Sequence, residues 1–81
     1  MIFAIQDAYF DNPLVNYPIL REKFGATDGA PSGPWCEHAL IELNTLEQIV
    51  QLSKTIDQKI IFMNQEEDGH PLLLIYDGWI E

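Results

Sequence analysis

Residues 44–56 read Asn-Thr-Leu-Glu-Gln-Ile-Val-Gln-Leu-Ser-Lys-Thr-Ile, and this stretch contains the clearest structural pattern in the chain. Five of its side chains recur at spacings of three and four residues, which places them on one face of a helix. These five are Leu46, Ile49, Val50, Ser53 and Ile56. The pattern predicts an amphipathic helix over residues 45–56.

The start of this helix has a capping pattern. Asn44 precedes the apolar stripe and Glu47 follows three residues later, as in a capping box with Asn in place of Ser or Thr. The Asn44 side chain would accept from the first-turn N–H groups, and Glu47 would reach back toward Asn44. We therefore predict that Asn44 caps the helix.

Strand patterns lie on both sides of this helix. Residues 37–44 alternate, with Ala39, Ile41 and Leu43 on one face. Residues 59–64 predict a third strand, and residues 72–76 are five consecutive apolar residues, typical of an inner strand buried on both faces. The turn at residues 66–69 contains the Asp-Gly dipeptide that hairpins favour.

The N-terminal part predicts one strand and one helix. Residues 2–7 alternate as a strand, and Asp11-Asn12-Pro13 predicts a turn. A helix over residues 18–24 would begin after a capping Asn16 and end at Gly25. Residues 25–34 contain three Gly and two Pro, a composition that disfavours a helix or an inner strand and predicts a loop.

The predicted order is β-α-β-α-β-β within a single domain, residues 1–81. This order corresponds to an α+β fold: a small, mostly antiparallel four-stranded sheet with one or two helices packed on one face. A chain of 81 residues fits one domain. Because so short a chain buries a limited core, a homodimer is kept as a source of extra buried area.

The charge of the chain narrows the classes of partner. Asp and Glu number 13 against 4 Lys and Arg, a net charge of -9. Such an excess serves solubility or attraction to a basic partner protein, and it argues against direct nucleic-acid binding. No apolar run approaches the ~20 residues of a membrane helix. The N-terminus has no basic segment typical of a signal peptide, so we expect a cytoplasmic location without membrane contact.

The nearest approach to a catalytic or metal site lies around the single cysteine. Cys36 and His38 would share a strand face, and such a pair can activate a thiolate, yet no third orienting residue is recognisable. Adding His70 gives no zinc-ligand spacing. We therefore predict no catalytic residue, no metal and no cofactor, and keep as an alternative a small enzyme or metal-binding protein that uses Cys36 and His38.

The C-terminal part of the chain predicts an acidic binding surface. No Lys or Arg follows Lys59, and Trp79 is a large aromatic among acids that can anchor an interface. The predicted partner-binding residues are Glu66, Glu67, Asp68, Asp77, Trp79 and Glu81. The alternative is a solvated hairpin end that prevents aggregation. Other aromatics near loops or element ends serve either as interface anchors or as core: Tyr9, Phe10, Tyr17 and Trp35.

The segments at residues 42–50 (Glu-Leu-Asn-Thr-Leu-Glu-Gln-Ile-Val) and 74–81 (Leu-Ile-Tyr-Asp-Gly-Trp-Ile-Glu) resemble small acidic proteins encoded by bacteriophages and mobile elements. The resemblance covers about half of the chain and transfers no functional residue. It implies a non-enzymatic protein-binding module, an anti-defence inhibitor of a basic defence or nucleic-acid-handling host protein. The alternative is a structural or oligomerising domain whose acidity serves solubility.

Overall fold

The computed structural model describes residues 1–30 and 37–76, and these form three short helices and five strands. The strands are β1 (Ile2–Asp7), β2 (Thr27–Asp28), β3 (His38–Glu42), β4 (Lys59–Glu67) and β5 (His70–Tyr76). The helices are α1 (Pro13–Asn16), α2 (Ile19–Phe24) and α3 (Leu46–Ile56). None of these helices is long and apolar enough to cross a membrane.

The strands form one mixed sheet in the order β2-β3-β1-β5-β4. The α+β class predicted from the sequence is confirmed, but the four-stranded detail is wrong. A fifth strand, β2, pairs with β3 at the sheet edge, and β1 runs parallel to β5 while the other pairings are antiparallel. The sequence did not predict β2 for two reasons. Its two residues are too few to show alternation, and they lie in the Gly- and Pro-rich segment that predicts a loop.

One face of the sheet holds the main core. Directly paired residues share a face, so Ile5 lies beside Ala39 on one neighbour and Leu73 on the other. All three are fully buried. The helices contribute Leu20 and Leu52 to this core. The alternation predicted for residues 37–44 is confirmed, since Ala39, Ile41 and Leu43 are all buried in this core.

The helix caps differ from those predicted. Thr45, not Asn44, caps α3: its hydroxyl accepts from the Gln48 N–H at 3.2 Å, and the Gln48 side chain accepts from the Thr45 N–H at 3.2 Å. The capping box is therefore shifted by one residue, because Thr45 and Gln48 also satisfy the pattern. The Asn44 side chain instead accepts from the N-terminal amine of Met1.

The prediction that Asn16 caps the second helix is also wrong. Asn12 caps α1, accepting from the Leu14 N–H at 2.9 Å, so the predicted turn at residues 11–13 is a helix start. Asn16 ends this helix and does not cap α2, whose cap residue is Pro18. The predicted end is confirmed: Gly25 follows α2 with a φ of 66°, a conformation that Gly adopts at low cost.

The buried face of α3 is rotated from the predicted stripe. Leu52 and Ile56 are buried and Ile49 is half-buried, whereas Leu46 is 73% exposed. Val50 is also exposed. The spacing Ile49-Leu52-Ile56 is equally helical, so periodicity alone did not select the contact face.

The hairpin between β4 and β5 turns at Asp68-Gly69, as the dipeptide predicts. Both residues have positive φ, 56° and 76°, which is the requirement of the type I′ hairpin turn. The inner position predicted for the apolar run in β5 is also confirmed, since β5 lies between β1 and β4.

Candidate functional site

The chain after β1 forms a tight turn that exposes two aromatic side chains. Tyr9 is 46% exposed and Phe10 is 66% exposed. The turn closes where the Phe10 N–H donates to the Asp7 carbonyl at 2.8 Å. Exposed aromatics close together in sequence are unusual enough in a small domain to mark a candidate interaction site. We call residues 7–10 the aromatic turn.

The aromatic turn is held by a buried carboxylate. Asp7 is buried, and its Oδ1 accepts from the Tyr9 N–H at 3.0 Å. Its Oδ2 lies 3.5 Å from Nδ2 of Asn16, at the end of α1. The Ala8 N–H donates to the Ile75 carbonyl at 2.9 Å, which ties the turn to β5. The turn is therefore attached to both the sheet and a helix.

Phe10 has a backbone conformation that bulky residues rarely adopt. Its φ is 62°, in the left-handed region that Gly and Asn favour. A conformation of this kind costs about 1–3 kcal/mol and is found preferentially at functional sites. Phe10 gains little burial there, since most of its surface faces solvent. The strain is therefore unexplained by core packing.

A second polar cluster joins the hairpin tip to the opposite side of the sheet. Asp68 Oδ2 accepts from the Ala30 N–H at 3.2 Å and lies 3.5 Å from Nε2 of His38. The His38 side chain is 4% exposed and that of Asp68 is 32% exposed. The hydrogen bond from Ala30, aided by His38, lowers the pKa of Asp68 below its ordinary value of 3.8. The ionisable side chain of Asp68 therefore connects the hairpin tip to Ala30 and to β3.

Gly29 completes that cluster by allowing close approach. A Cβ built on Gly29 would lie 2.1 Å from Nε2 of His38, so only Gly fits against the ring. The Gly29 N–H also donates to the His38 carbonyl at 3.2 Å. The sequence offered no signal for this contact, because the Asp-Gly dipeptide predicts only a turn and nothing in the sequence links Asp68 to Gly29 or His38.

The predicted acidic site is described only in part. Glu66 is exposed and Glu67 is half-buried in β4, while the Asp68 carboxylate is engaged by Ala30 and His38. The other three predicted residues, Asp77, Trp79 and Glu81, lie outside the described residues, as do Trp35 and Cys36. The structure therefore does not test the pairing of Cys36 with His38 or the role of Trp79.

The carboxylates of the described residues are spread over the molecule. Exposed acids occur in α2, β2, β3, α3 and β4, at Glu22, Asp28, Glu42, Glu47 and Glu66. Arg21 lies 3.7 Å from Asp28 in an exposed ion pair, an arrangement that contributes little stability. Within residues 1–30 and 37–76 no group of three or more His, Cys, Asp or Glu side chains could hold a metal ion.

A shallow groove follows the exposed side of α3. Its volume is about 360 Å³, and its described lining comes from this one helix: Leu46, Glu47, Val50, Gln51 and Lys54. The lining combines apolar side chains with one acidic and one basic side chain, Glu47 and Lys54. This mixture does not indicate which class of ligand would bind.

Comparison with known proteins gives no relative. No family model, no curated protein and no solved structure matches this chain. Its function is therefore inferred from the exposure, strain and charge of its own residues.

Proposed function

We propose that this chain is a non-enzymatic protein-binding module that engages a basic partner protein through the aromatic turn. The observation that supports this most directly is Phe10, an exposed aromatic in a left-handed conformation at a turn held by buried Asp7. A turn whose backbone is already fixed loses little conformational freedom on binding, and aromatic side chains dominate the energetics of interfaces.

The charge of the chain supports a basic partner. A net charge of -9 attracts a positively charged protein over distances near the Debye length and raises the rate of encounter. In this proposal the carboxylates steer the partner and the aromatic turn supplies the contact. Exposed Glu66 and half-buried Glu67 belong to the steering surface, together with Asp77 and Glu81 as predicted from the sequence, and Trp79 remains the predicted aromatic anchor beside these acids. A basic defence or nucleic-acid-handling protein of a host is the proposed partner class.

A second function is favoured by one specific observation. The exposed carboxylates lie on five different elements, a spread that suits general solubility as well as steering. On this alternative the chain is a structural or oligomerising domain. The two functions differ in one measurable respect, because solubility requires no particular residue in the aromatic turn.

The test is affinity capture from an extract of the source cells, followed by titration of the purified partner. Phe10→Asn keeps the left-handed turn accessible and removes the aromatic contact. We expect it to weaken binding at least tenfold, the size of a moderate hot spot. Val50→Asn is the matched control, since Val50 is also an exposed apolar residue but lies on α3. Equal binding by wild type and Phe10→Asn would contradict the role of the aromatic turn.

A further inference from the structure

The distal half of the β4–β5 hairpin is built differently from the rest of the sheet. Between the pairs Phe62–Leu73 and Glu66–Pro71, β4 advances four residues while β5 advances two. The extra residues form a bulge, and bulges bend a strand and increase its twist. We call residues 66–71, on the far side of this bend, the arm.

The arm reaches across the sheet. Strands β4 and β2 are at opposite edges, yet Asp68 at the arm's tip accepts a hydrogen bond from Ala30, two residues beyond β2. His38 also meets Asp68, and its register opposite Gln6 places it on the sheet face away from Ile5. The arm therefore folds over the face that does not carry the main core.

That face contains buried residues outside the main core cluster. Ala4 is 0% exposed and Leu72 is 2% exposed, and their pairing places them side by side. Neither belongs to the cluster formed with the helices. Both are buried on the face over which the arm folds.

The arm itself is weakly anchored. None of residues 66–71 is buried, whereas Leu72 and Leu73 immediately beyond them are. Segments with few buried contacts open at low free energy, independently of the core. At its tip, Asp68 joins the arm to the far edge of the sheet through Ala30 and His38.

We propose that the arm is held by a latch: Asp68, docked on Ala30 and His38, closes it, and its release opens the arm as a unit while the main core stays folded. The bulge at residues 63–65 is the bend on which the arm moves, and Gly29 leaves the space that the His38 ring occupies. This proposal is independent of the aromatic turn, since it concerns different residues.

The test is amide hydrogen exchange of the full chain, measured by NMR. Asp68→Gly removes the carboxylate and leaves a Gly-Gly turn that tolerates positive φ. The Ala30 amide loses its acceptor in this variant whether or not the arm moves, so the readout is the Glu67–His70 pair inside the arm. We expect these two amides to exchange at least tenfold faster, with a much smaller change for the core amide of Ile5. Asp57→Gly is the matched control, because Asp57 has the same φ of 56° but lies at the end of α3; it should leave the Glu67–His70 pair unchanged.

A second variant approaches the latch from the other side. Gly29→Ala places a methyl group where the His38 ring lies and leaves the hairpin turn unchanged, so it should accelerate exchange of the Glu67 and His70 amides as Asp68→Gly does. If Asp68→Gly does not fold, the wild-type chain in low urea supplies the answer: the Glu67 and His70 amides should exchange through an opening that urea barely affects. Acceleration of Ala30 alone, equal acceleration of the Glu67–His70 pair and Ile5, or exchange of that pair only through global unfolding would overturn the proposal.

Discussion

Phe10 shows how one residue can oppose stability and favour function. Its left-handed φ of 62° is costly for an aromatic, and its exposed ring recovers little free energy by burial. Asn tolerates this conformation because its short polar side chain can hydrogen-bond locally. Asn at position 10 would therefore be more stable than the Phe that the sequence has.

We expect Phe10→Asn to raise the free energy of unfolding by about 1 kcal/mol, the relief of left-handed strain. Urea denaturation measures this change through a higher midpoint at an unchanged slope. Val15→Asn is a control, since Val15 is 73% exposed within α1 and should change stability by less than about 0.5 kcal/mol. A destabilised Phe10→Asn protein would mean that the ring makes a stabilising contact and that its strain needs no functional explanation.

At the scale of elements, α3 shows what a local pattern determines. The capping box and the helical period predicted its existence and its bounds within a residue. The cap itself was assigned one residue early, because Asn44 and Thr45 are both good caps and each has a polar partner three residues later. The structure resolves the choice through Gln48, whose side chain reaches back to the Thr45 N–H.

We expect Thr45→Ala to destabilise the protein by about 0.5–2 kcal/mol, since it leaves the Gln48 N–H without its acceptor. Thermal denaturation of Thr45→Ala beside Asn44→Ala makes the comparison, with Asn44→Ala the milder change because Asn44 is exposed and contacts the N-terminal amine instead. A larger loss in Asn44→Ala would contradict the assignment of Thr45 as the cap.

The whole molecule shows where prediction from the sequence stops. Alternation at residues 2–7 and 37–44 and the apolar run at residues 72–76 were enough to place three strands, although residues 3–7 of β1 are all buried and not only those on one face. The parallel pairing of β1 with β5 was not predictable, since it depends on which strands meet after the chain has folded. The aromatic turn was visible only as aromatics near a loop. Its support by Asp7 and Asn16 depends on the position of α1.

The stability that Asp68 contributes through its contacts with Ala30 and His38 depends on pH, and the direction follows from the pKa of Asp68. The folded-state pKa lies below the ordinary value of 3.8, because Ala30 donates to the carboxylate and His38 lies beside it, with His70 adding a smaller attraction. A carboxyl with a lowered folded pKa stabilises the fold above its unfolded pKa, and this contribution is lost as pH falls through the folded value. The loss therefore occurs below about pH 4.

We expect the stability advantage of wild type over Asp68→Asn to be full at pH 5–7 and to shrink progressively below about pH 4. The physical reason is that a protonated Asp68 has nearly the shape and hydrogen-bonding capacity of Asn, so the two proteins converge once the charge is gone. Urea denaturation of both proteins across this range measures the difference, and it cancels the relief of repulsion that acid brings to the other carboxylates. Asp57→Asn shows what removal of one charge does at another left-handed Asp. If the difference in free energy of unfolding between wild type and Asp68→Asn stays constant or grows below pH 4, the charge of Asp68 does not stabilise the folded protein.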